Sequence, residues 1–270
     1  MVSVIIIQHN NINLTRTAIE SFLRFHTDNF EIILVDNNST EQSPFELIKD
    51  FPNIKLITSQ KNLGFGAANN LAAQRALGNI LLFLNNDVII KSEILKEIEK
   101  EFSLNQHIGI IGPKLLNEDN SLQLSCGKLP SLYREFLDKI LYKLVDKKNK
   151  VALNYISKKH LLKKEKQWVT GAALFIKKEL FLELNGFDES FFMYYEDKDL
   201  CARAIAKGKK IIYFPKVSLI HLRGKSLTSS NQRFLFQKYR ESQILYYQKH
   251  RPKFEHALLR IYLKLTGKLN

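Results

Sequence analysis

The residues Glu31-Ile32-Ile33-Leu34-Val35-Asp36-Asn37-Asn38-Ser39 form an apolar, β-branched run that ends in a polar cluster. The same pattern occurs from Val2 to Asn13 and from Ile80 to Asp87, and Thr15 to Phe25 carry apolar residues at helical spacing. Runs that are apolar throughout predict strands buried on both faces. Strands that alternate with helices predict an α/β fold with a largely parallel sheet.

Polar clusters follow three of the predicted strands, at Gln8 to Asn11, Asp36 to Ser39 and Asn85 to Asp87. In open α/β sheets, ligands bind beyond the carboxyl ends of the strands. The sequence therefore predicts that these clusters gather at one edge of the sheet and form a ligand site there.

The composition is that of a globular chain. Its 270 residues, 45% of them hydrophobic, suffice for one large domain or two small ones. No apolar segment reaches the roughly 18 residues of a membrane span, and Val2 to Ile7 lacks the basic leader of a signal peptide. We therefore expect a cytoplasmic location. Cys126 and Cys201 lie far apart and indicate neither a disulfide framework nor a zinc site.

The net charge of +14 is concentrated in the second half of the chain. Residues 1–130 carry 11 Lys+Arg against 14 Asp+Glu, a balance of −3, whereas residues 131–270 carry 30 against 13, a balance of +17. Lysine pairs within 131–166 predict a basic helical insertion or a mobile flap. The basic half indicates an anionic partner: nucleic acid, an anionic membrane leaflet or a phosphate-bearing substrate.

Three acidic residues follow an aromatic run at Phe191-Phe192-Met193-Tyr194-Tyr195-Glu196-Asp197-Lys198-Asp199-Leu200. Burial raises the pKa of a carboxyl group and makes it a better base, so the cluster is a candidate for proton abstraction. A helix N-terminus also favours acidic residues, and this stretch by itself leaves both interpretations open.

Two further segments carry weaker signals. Asp87 follows an apolar strand, where it could ligate a divalent cation or simply form a turn. His221 follows the apolar strand Val217 to Ile220 and could ligate the same metal or be structural. The loop from Lys61 to Asn70 brings glycines to a helix N-terminus, which suits an anion or a plain helix entry.

Together these segments resemble the inverting nucleotide-sugar glycosyltransferases of family 2, and most closely the bacterial rhamnosyltransferase-like branch. Each motif is modest, but the motifs occur in the family's order over residues 1–228. They are Val2 to Asn10, Ile33 to Ser39, Asn62 to Asn69, Phe83 to Asp87, Thr170 to Phe175, Gly186 to Glu189 and Glu196 to Leu200.

The resemblance implies a Rossmann-like GT-A fold, with a mostly parallel central sheet and a C-terminal helical extension. The catalytic domain would occupy residues 1–228, with a nucleotide-binding half at 1–115, the basic insertion at 131–166 and an acceptor and catalytic half at 167–228. Residues 229–270 would form amphipathic basic helices that are broken at Pro252.

The resemblance also implies roles for individual residues. Asp36 would hydrogen-bond a uracil or thymine ring, and Asp87 and His221 would hold Mg²⁺ or Mn²⁺. Asp197 would be the catalytic base, with Glu196 as its supporting neighbour. The family's metal motif begins with an acid where this chain has an asparagine, which leaves one protein carboxylate for the metal. The other residues expected to bind the nucleotide sugar are Gln8, His9, Asn10, Asn38, Asn62, Gly64, Phe65, Gly66, Asn69, Asn85, Asn86, Gly171, Arg223 and Lys225.

The implied activity is transfer of a sugar such as L-rhamnose, with inversion, from a dTDP- or UDP-sugar to a hydroxyl of a cell-surface glycan or lipid-linked saccharide. Alternatives are a nucleic-acid-binding protein, although no recognisable nucleic-acid module is present, or a catalytically silent scaffold of a glycan-assembly complex. Asp188 and Asp199 are expected to be structural. Apolar residues beside Arg260 and Lys264 predict a helix that lies on the inner face of an anionic membrane or packs on protein. A homo-oligomer is left open.

Overall fold

The computed structural model describes residues 1–147, 149–222 and 232–268. The strands in these ranges are β1 (Val2–Gln8), β2 (Phe30–Asp36), β3 (Lys55–Thr58), β4 (Ile80–Asn85), β5 (Val88–Ile90), β6 (Ile108–Leu116), β7 (Leu122–Gln123), β8 (Cys126–Gly127), β9 (Lys164–Lys166), β10 (Trp168–Val169), β11 (Ala173–Lys177) and β12 (Lys210–His221). The helices are α1 (Ile12–Leu23), α2 (Phe45–Asp50), α3 (Gly64–Ala73), α4 (Leu95–Leu104), α5 (Leu132–Asp146), α6 (Lys150–Lys159), α7 (Lys178–Glu183), α8 (Glu196–Ala206), α9 (Gln232–His250) and α10 (Lys253–Leu265).

A ten-stranded sheet forms the centre of the part of the chain that the structure describes. Its main path runs in the order β3-β2-β1-β4-β11-β6-β12-β5, while β7 pairs with β6 and β9 pairs with β12. The neighbours β3, β2, β1 and β4 are parallel, as are β6 and β12, whereas β11 and β5 are antiparallel to their neighbours. The predicted α/β fold with a mostly parallel sheet is confirmed.

Both faces of the sheet are buried, which explains why its first strands are apolar throughout. Side chains alternate between the faces along a strand. Val4 and Ile6 of β1 pack with Phe22 of α1 on one face, and Ile5 packs with Ala72 of α3 on the other.

The second half of the sheet departs from the sequence pattern at β12. The pattern suggests separate strands at Lys210 to Phe214 and Val217 to Ile220, but one strand continues to His221. Its pairing with β6 shifts register between Phe214 and Ser218, so an irregularity stands where we expected a break. Within the basic segment 131–166, helices α5 and α6 are followed by β9, which pairs with β12.

The C-terminal helices pack on the acidic segment. Helix α10 begins directly after Pro252, where the sequence predicts the break. An apolar cluster joins both helices to the aromatic residues before the acids and contains Phe191, Tyr195, Tyr246, Tyr247, Leu259 and Leu263. The C-terminal extension therefore supports the acidic segment. Within the described ranges, every helix falls short of the length and apolar character that crossing a bilayer requires.

Candidate active site

The polar clusters that follow β1, β2 and β4 lie at one edge of the sheet. Gln8 at the end of β1 pairs with Asp36 at the end of β2, and β4 lies on the other side of β1. The antiparallel strand β11 begins at this same edge, because Ala173 pairs with Leu84 near the end of β4. Residues that precede β11 are therefore brought to the ends of the parallel strands.

Side-chain hydrogen bonds organise the pocket that is predicted to bind the uracil or thymine ring. Gln8 Nε2 donates to Asp36 Oδ1 over 3.2 Å, and the backbone N–H of Ser39 donates to Asp36 Oδ2 over 3.1 Å. Asn10 adopts φ 60°, and its Oδ1 accepts the backbone N–H of Thr40 over 2.8 Å. These bonds hold the loop after β1 against the loop after β2.

Asn37, which we did not predict as a site residue, ties this pocket to the glycine-bearing loop. Its Nδ2 donates to Asn62 Oδ1 over 3.0 Å, and its Oδ1 accepts the backbone N–H of Leu63 over 2.8 Å. Gly64 has φ 79°, and a Cβ atom there would lie 2.2 Å from the carbonyl oxygen of Phe192. Only glycine fits this position, which joins the loop directly to the acidic segment.

The backbone is strained immediately before the acidic residues. Tyr194 and Tyr195 have φ values of 69° and 67°, a region that costs bulky residues about 1–3 kcal/mol each. Tyr195 is buried, and its hydroxyl donates to Glu135 Oε1 of α5 over 2.5 Å. This conformation makes Glu196 and Asp197 the first two residues of α8.

Asp197 is held at the sheet edge by backbone groups. The backbone N–H of Gly171, just before β11, donates to Asp197 Oδ2 over 3.1 Å, and that of Lys198 donates to Oδ1 over 2.8 Å. A Cβ atom at Gly171 would lie 3.2 Å from the Phe65 ring, so this glycine lets the α3 loop and the acid approach each other. The carboxylate orientation is therefore fixed by two backbone N–H groups of the second half of the chain, and Gly171 lies against the Phe65 ring of the first half.

Glu196 lies in a different environment from its neighbour. It is 6% exposed, and its Oε2 has no hydrogen-bond partner among the described residues. Burial, and then the charge of Asp197, raise the pKa of Glu196 to about 8. Glu196 therefore keeps its proton at neutral pH and can donate a hydrogen bond.

The other two acids of this region are structural, as expected. Asp199 is buried and pairs with Arg203 Nη2 and with His250 Nε2 of α9, both over 2.7 Å. Asp188 Oδ1 accepts the backbone N–H of Ser190 over 3.0 Å, which closes the turn before the acidic segment.

Asn70 of α3 clamps the same turn, and sequence inspection did not find this role. Its Nδ2 donates to the carbonyl oxygen of Phe187, and its Oδ1 accepts the backbone N–H of Phe187, both over 2.8 Å. A Cβ atom at Gly186, which has φ 72°, would lie 2.4 Å from Asn70 Oδ1. Local sequence does not reveal this clamp, because Asn70 and Phe187 lie 117 residues apart.

Asp87 and His221, the predicted metal ligands, face each other. Asp87 Oδ1 lies 3.2 Å from His221 Nε2 and has no hydrogen-bond partner within the described ranges, although Asp87 is only 4% exposed. In these ranges, no group of three or more His, Cys, Asp and Glu side chains could hold a metal ion. Any metal here would complete its coordination with water or substrate oxygens.

Gln123 of β7 fixes which nitrogen of His221 faces Asp87. The Nδ1–H of His221 donates to Gln123 Oε1 over 2.7 Å. Gln123 Nε2 donates to Asn117 Oδ1 over 2.9 Å, and Asn117 Nδ2 donates to Ser121 Oγ over 2.9 Å. Ser121 in turn donates to Asp119 Oδ1 over 2.5 Å.

The Asp119 carboxylate at the end of this chain sets the direction of every hydrogen bond in it. Because a carboxylate only accepts, Ser121 must donate to it, and each later residue must then donate to the one before it. The chain therefore places the proton of neutral His221 on Nδ1 and leaves a lone pair on Nε2. Two atoms with lone pairs, Nε2 and Asp87 Oδ1, then face each other, and this arrangement fits a cation between them. The sequence does not predict this role of Gln123, because its partner His221 lies 98 residues away.

Several residues of the predicted donor-binding set have structural partners. Asn69 is 1% exposed and its Nδ2 donates to the carbonyl oxygen of Phe65 over 2.9 Å. Asn86 Nδ2 donates to Thr15 Oγ1 of α1 over 3.1 Å. Contact of these side chains with a nucleotide sugar stays a prediction.

The remaining members of this set vary in their exposure. His9 is exposed, and Asn38, which has φ 65°, is half-buried. Gly66 lies in α3, where an added Cβ atom would be 3.1 Å from Phe187 Cβ. Arg223 and Lys225 lie outside the described residues.

The glycosyl transferase family 2 model matches residues 3–171, which is most of the chain. The chain belongs to this family, and it is a glycosyltransferase. A second model, described as the N-terminal domain of galactosyltransferase, matches residues 154–224, the part that contains Asp197 and His221. The two matches together span the sheet edge described above.

Two rhamnosyltransferases are similar in sequence. The N-acetylglucosaminyl-diphospho-decaprenol L-rhamnosyltransferase of Mycobacterium tuberculosis is 25% identical over 206 residues, which cover 72% of this chain and 67% of the relative. The rhamnosyltransferase WbbL of Escherichia coli K12 is 27% identical over 229 residues, which cover 82% and 83%. The resemblance to the rhamnosyltransferase-like branch is confirmed.

Solved structures confirm the GT-A fold. GalNAc-T7 with UDP, GalNAc and Mn²⁺ superposes with a TM-score of 0.63 at 17% identity over 90% of this chain, which spans 48% of that protein. The mannosyltransferase PcManGT of Pyrobaculum calidifontis, in complex with GDP-Man and Mn²⁺, gives 0.60 at 17% identity, covering 96% of this chain and 68% of the mannosyltransferase.

Proposed function

We propose that this glycosyltransferase moves a sugar to a hydroxyl of a glycan or lipid-linked saccharide, with inversion of the anomeric centre and with the help of a divalent cation. The donor would be dTDP-L-rhamnose or a UDP-sugar. One observation carries the proposal. Asp197 is fixed by Gly171 at the sheet edge where the loops with Asp36 and Asp87 end. The catalytic base, the pocket for the uracil or thymine ring and the metal-binding carboxylate would therefore lie at one edge of the sheet.

The donor would lie across the loops after β1, β2 and β4. Asp36 is mostly buried and held by Gln8 and Ser39, so its carboxylate is oriented before a ligand binds. A carboxylate accepts the ring N–H of uracil and thymine alike. The names of the sequence relatives favour a rhamnose donor.

Asp87 and His221 would hold the metal, since a carboxylate and an imidazole nitrogen face each other there. A bound divalent cation would stabilise the charge that gathers on the departing diphosphate. Mn²⁺ accepts imidazole more readily than Mg²⁺, which prefers oxygen. The Mn²⁺ in GalNAc-T7 and PcManGT is consistent with this choice.

Asp197 would accept the proton of the attacking hydroxyl. The acceptor oxygen forms a bond to the anomeric carbon, the bond from that carbon to the diphosphate oxygen breaks, and its electron pair leaves with the nucleoside diphosphate. The single displacement inverts the anomeric centre and needs one base. Glu196, which carries its own proton, would donate a hydrogen bond to a substrate oxygen and would not compete for the proton.

The test is transfer itself. Purified protein with Mn²⁺ is incubated with a panel of dTDP- and UDP-sugars and saccharide acceptors, and release of nucleoside diphosphate and anomeric configuration are measured. We expect Asp197→Asn to lower kcat by about 10²- to 10⁴-fold. The control Asp50→Asn, at an exposed carboxyl of α2, should leave kcat unchanged. Equal rates for Asp197→Asn and the natural protein would refute the proposal.

We further propose that α10 lies on an anionic membrane surface. One face of α10 packs Leu259 and Leu263 into the protein, while Leu258, Ile261 and Leu265 are 52%, 54% and 83% exposed. Lysine and arginine residues beside an exposed apolar stripe favour an anionic leaflet. One face of α10 thus packs on the protein, and the exposure of the other face supports the membrane proposal.

Vesicle sedimentation checks this surface. The double variant Leu258→Glu with Leu265→Glu should bind phosphatidylglycerol vesicles at least about tenfold more weakly than the natural protein. The matched control is Leu77→Glu with Leu104→Glu, which changes two leucines of similar exposure in the first half. Equal loss in both double variants would indicate a general charge effect and not a membrane-binding helix.

A further inference from the structure

A cationic cavity lies between the basic segment and the strands that lead to Asp197. Its volume is about 90 Å³, and it is enclosed by α5, α6, β8, β9 and β10. Four cationic side chains line it: Lys128, Arg134, Lys159 and Lys166. Asp138 is its one carboxyl group among the described lining residues.

These four cations share a single carboxylate neighbour in the cavity, Asp138, which attracts Arg134 and Lys159. In the described part of the chain, none of the four makes an ion pair within 4.0 Å. Three of them lie over aromatic rings instead, at distances of 5.4–5.8 Å from Tyr133, Tyr155 and Tyr213. Four cations around one carboxylate leave the cavity with an excess of positive charge, which a bound anion would neutralise.

Titration of the neighbouring groups agrees with this picture. Burial, with Lys159 and Lys164 adding to it, lowers the pKa of Lys166. Burial, with the same lysines and Lys166 adding to it, lowers the pKa of His160. The cavity therefore holds a local excess of positive charge that a bound polyanion would relieve.

The cavity is linked to Asp197, the proposed base, through Trp168 and Lys198. Trp168, which lines it, stands three residues before Gly171, whose N–H binds Asp197. Lys198, the residue after Asp197, places its Nζ 5.1 Å from the centre of the Trp168 ring. An anion in the cavity would thus have its attached group close to the base.

Helix α5 gives this cavity an apolar outer surface. Arg134 and Asp138 line the cavity, while Tyr133, Phe136 and Ile140 on the same helix are exposed by 66%, 62% and 44%. Lys139 of α5 lies 5.4 Å from the ring of Tyr262 on α10, so this surface continues into the exposed face of α10. A ligand with both phosphate groups and an apolar chain would match the cavity and the surface together.

We propose that this cavity binds the diphosphate group of a lipid-linked saccharide acceptor and so directs the acceptor sugar towards Asp197. The proposal rests on the glycosyltransferase reaction proposed above. It assigns a function to the basic segment, whose cations would recognise phosphate oxygens, and it places the lipid chain along α5 and α10.

Binding of inorganic diphosphate, measured by calorimetry without divalent metal, tests the cavity directly. The double variant Lys159→Gln with Lys166→Gln should bind diphosphate at least tenfold more weakly than the natural protein. The control Lys150→Gln with Lys158→Gln removes the same charge from exposed positions of α6 outside the cavity. Any diphosphate bound in the donor pocket contributes equally to all three proteins, so their difference reports on the cavity.

A second arm distinguishes the source of the phosphate. A water-soluble saccharide diphosphate with a short alkyl chain should bind more tightly than inorganic diphosphate, and glycerol 3-phosphate, the phosphate group of a phospholipid without its chains, should not compete with it. In transfer assays the cavity variant should raise the acceptor KM at least tenfold and leave the donor KM unchanged. If the cavity variant is poorly folded by circular dichroism, the single variant Lys159→Gln replaces it.

Three results separate the two proposals. Equal diphosphate binding in the cavity and control variants, or competition by glycerol 3-phosphate, overturns the acceptor site. Transfer with an unchanged acceptor KM overturns it too, while leaving the glycosyltransferase reaction intact. An absence of transfer in the natural protein refutes the reaction, whereas the diphosphate affinities still decide whether the cavity binds phosphate.

Discussion

The two halves of the chain contribute different parts of the site. Residues 1–130, with a charge balance of −3, supply parallel strands whose end loops are held by hydrogen bonds among asparagine, glutamine and aspartate side chains. Residues 131–270, with a balance of +17, supply the acidic segment and three of the four cations of the cavity, while Lys128 comes from the first half. Under the proposed function, the near-neutral half would bind the donor, and the basic half would carry out proton transfer and hold an anionic acceptor.

The halves meet through a few close contacts, and these contacts create the site. Gly64 contacts Phe192, and Gly171 binds Asp197 beside the Phe65 ring. Neither half contains a complete site by itself. Variants at the contacts should therefore affect donor binding and proton transfer together, while variants within one half should affect only one of these two functions.

Gly64→Ala is the change with the largest expected effect, because it introduces a clash where the two halves meet. An alanine Cβ would lie 2.2 Å from the Phe192 carbonyl oxygen at a φ of 79°. We expect the free energy of unfolding to fall by more than about 3 kcal/mol, since both backbone strain and a backbone clash are introduced. Urea unfolding measures this loss.

Gly208→Ala is the matched control for that experiment. Gly208 has nearly the same φ, 73°, but no atom lies within 4 Å of an added Cβ. It should lose only about 1–2 kcal/mol, the cost of the left-handed conformation alone. Similar losses in the two variants would show that the loop yields easily and that the contact with Phe192 does not hold the halves together.

Glu196→Gln should have the next largest effect on the free energy of unfolding, and the size of this effect should change with pH. The folded protein keeps a proton on Glu196 up to a pKa of about 8, whereas the unfolded chain releases it near 4.5. Between these values the unfolded state binds fewer protons, so stability falls as pH rises, by up to about 1.4 kcal/mol per pH unit. Glutamine removes this dependence.

The measurement is urea unfolding of both proteins at pH 5, 6.5 and 8. The variant should gain stability relative to the natural protein as pH rises, by a few kcal/mol across the range. Glu179→Gln, at an exposed position of α7, should run parallel to the natural protein. A constant difference between Glu196→Gln and the natural protein would mean that Glu196 titrates normally and is charged in the folded state.

The part of the site in the first half was predictable from the sequence because each strand announces its own end. An apolar run that stops at Asp36 or Asn85 needs no knowledge of its neighbours to be interpreted. The acids at Glu196 and Asp197 were visible for the same reason. Their different protonation was not, because it depends on burial by residues distant in sequence.

The unpredicted residues all contact partners that are distant in sequence. Asn70 binds a turn 117 residues away, and Gln123 binds a histidine 98 residues away. Two left-handed tyrosines, Tyr194 and Tyr195, depend on packing from α5 and the C-terminal helices. Period and turn chemistry describe local structure, so they reveal none of these partners.

Gln123→Leu should have the smallest effect of the three variants, a loss of metal affinity. It tests a site to which each half of the chain contributes one metal ligand. Asp87 belongs to the first half and His221 to the second, and Gln123 decides which nitrogen of the histidine meets the carboxylate. Loss of such an outer partner typically weakens metal binding by about 10- to 100-fold. Titration of Mn²⁺ followed by electron paramagnetic resonance measures this affinity without any turnover.

Gln123→Glu is the comparison that distinguishes orientation from packing. A carboxylate at this position still accepts the Nδ1–H of His221 and should keep Mn²⁺ affinity within a few-fold of the natural protein, whereas leucine accepts nothing. Gln106→Leu, at an exposed glutamine, should change nothing. If the glutamate and leucine variants lose affinity equally, the histidine is held by the packing of β7 and β12 and not by the direction of its hydrogen bond. The metal affinity would then depend on how the halves fit together and not on the proton that the β6–β7 turn directs to Nδ1.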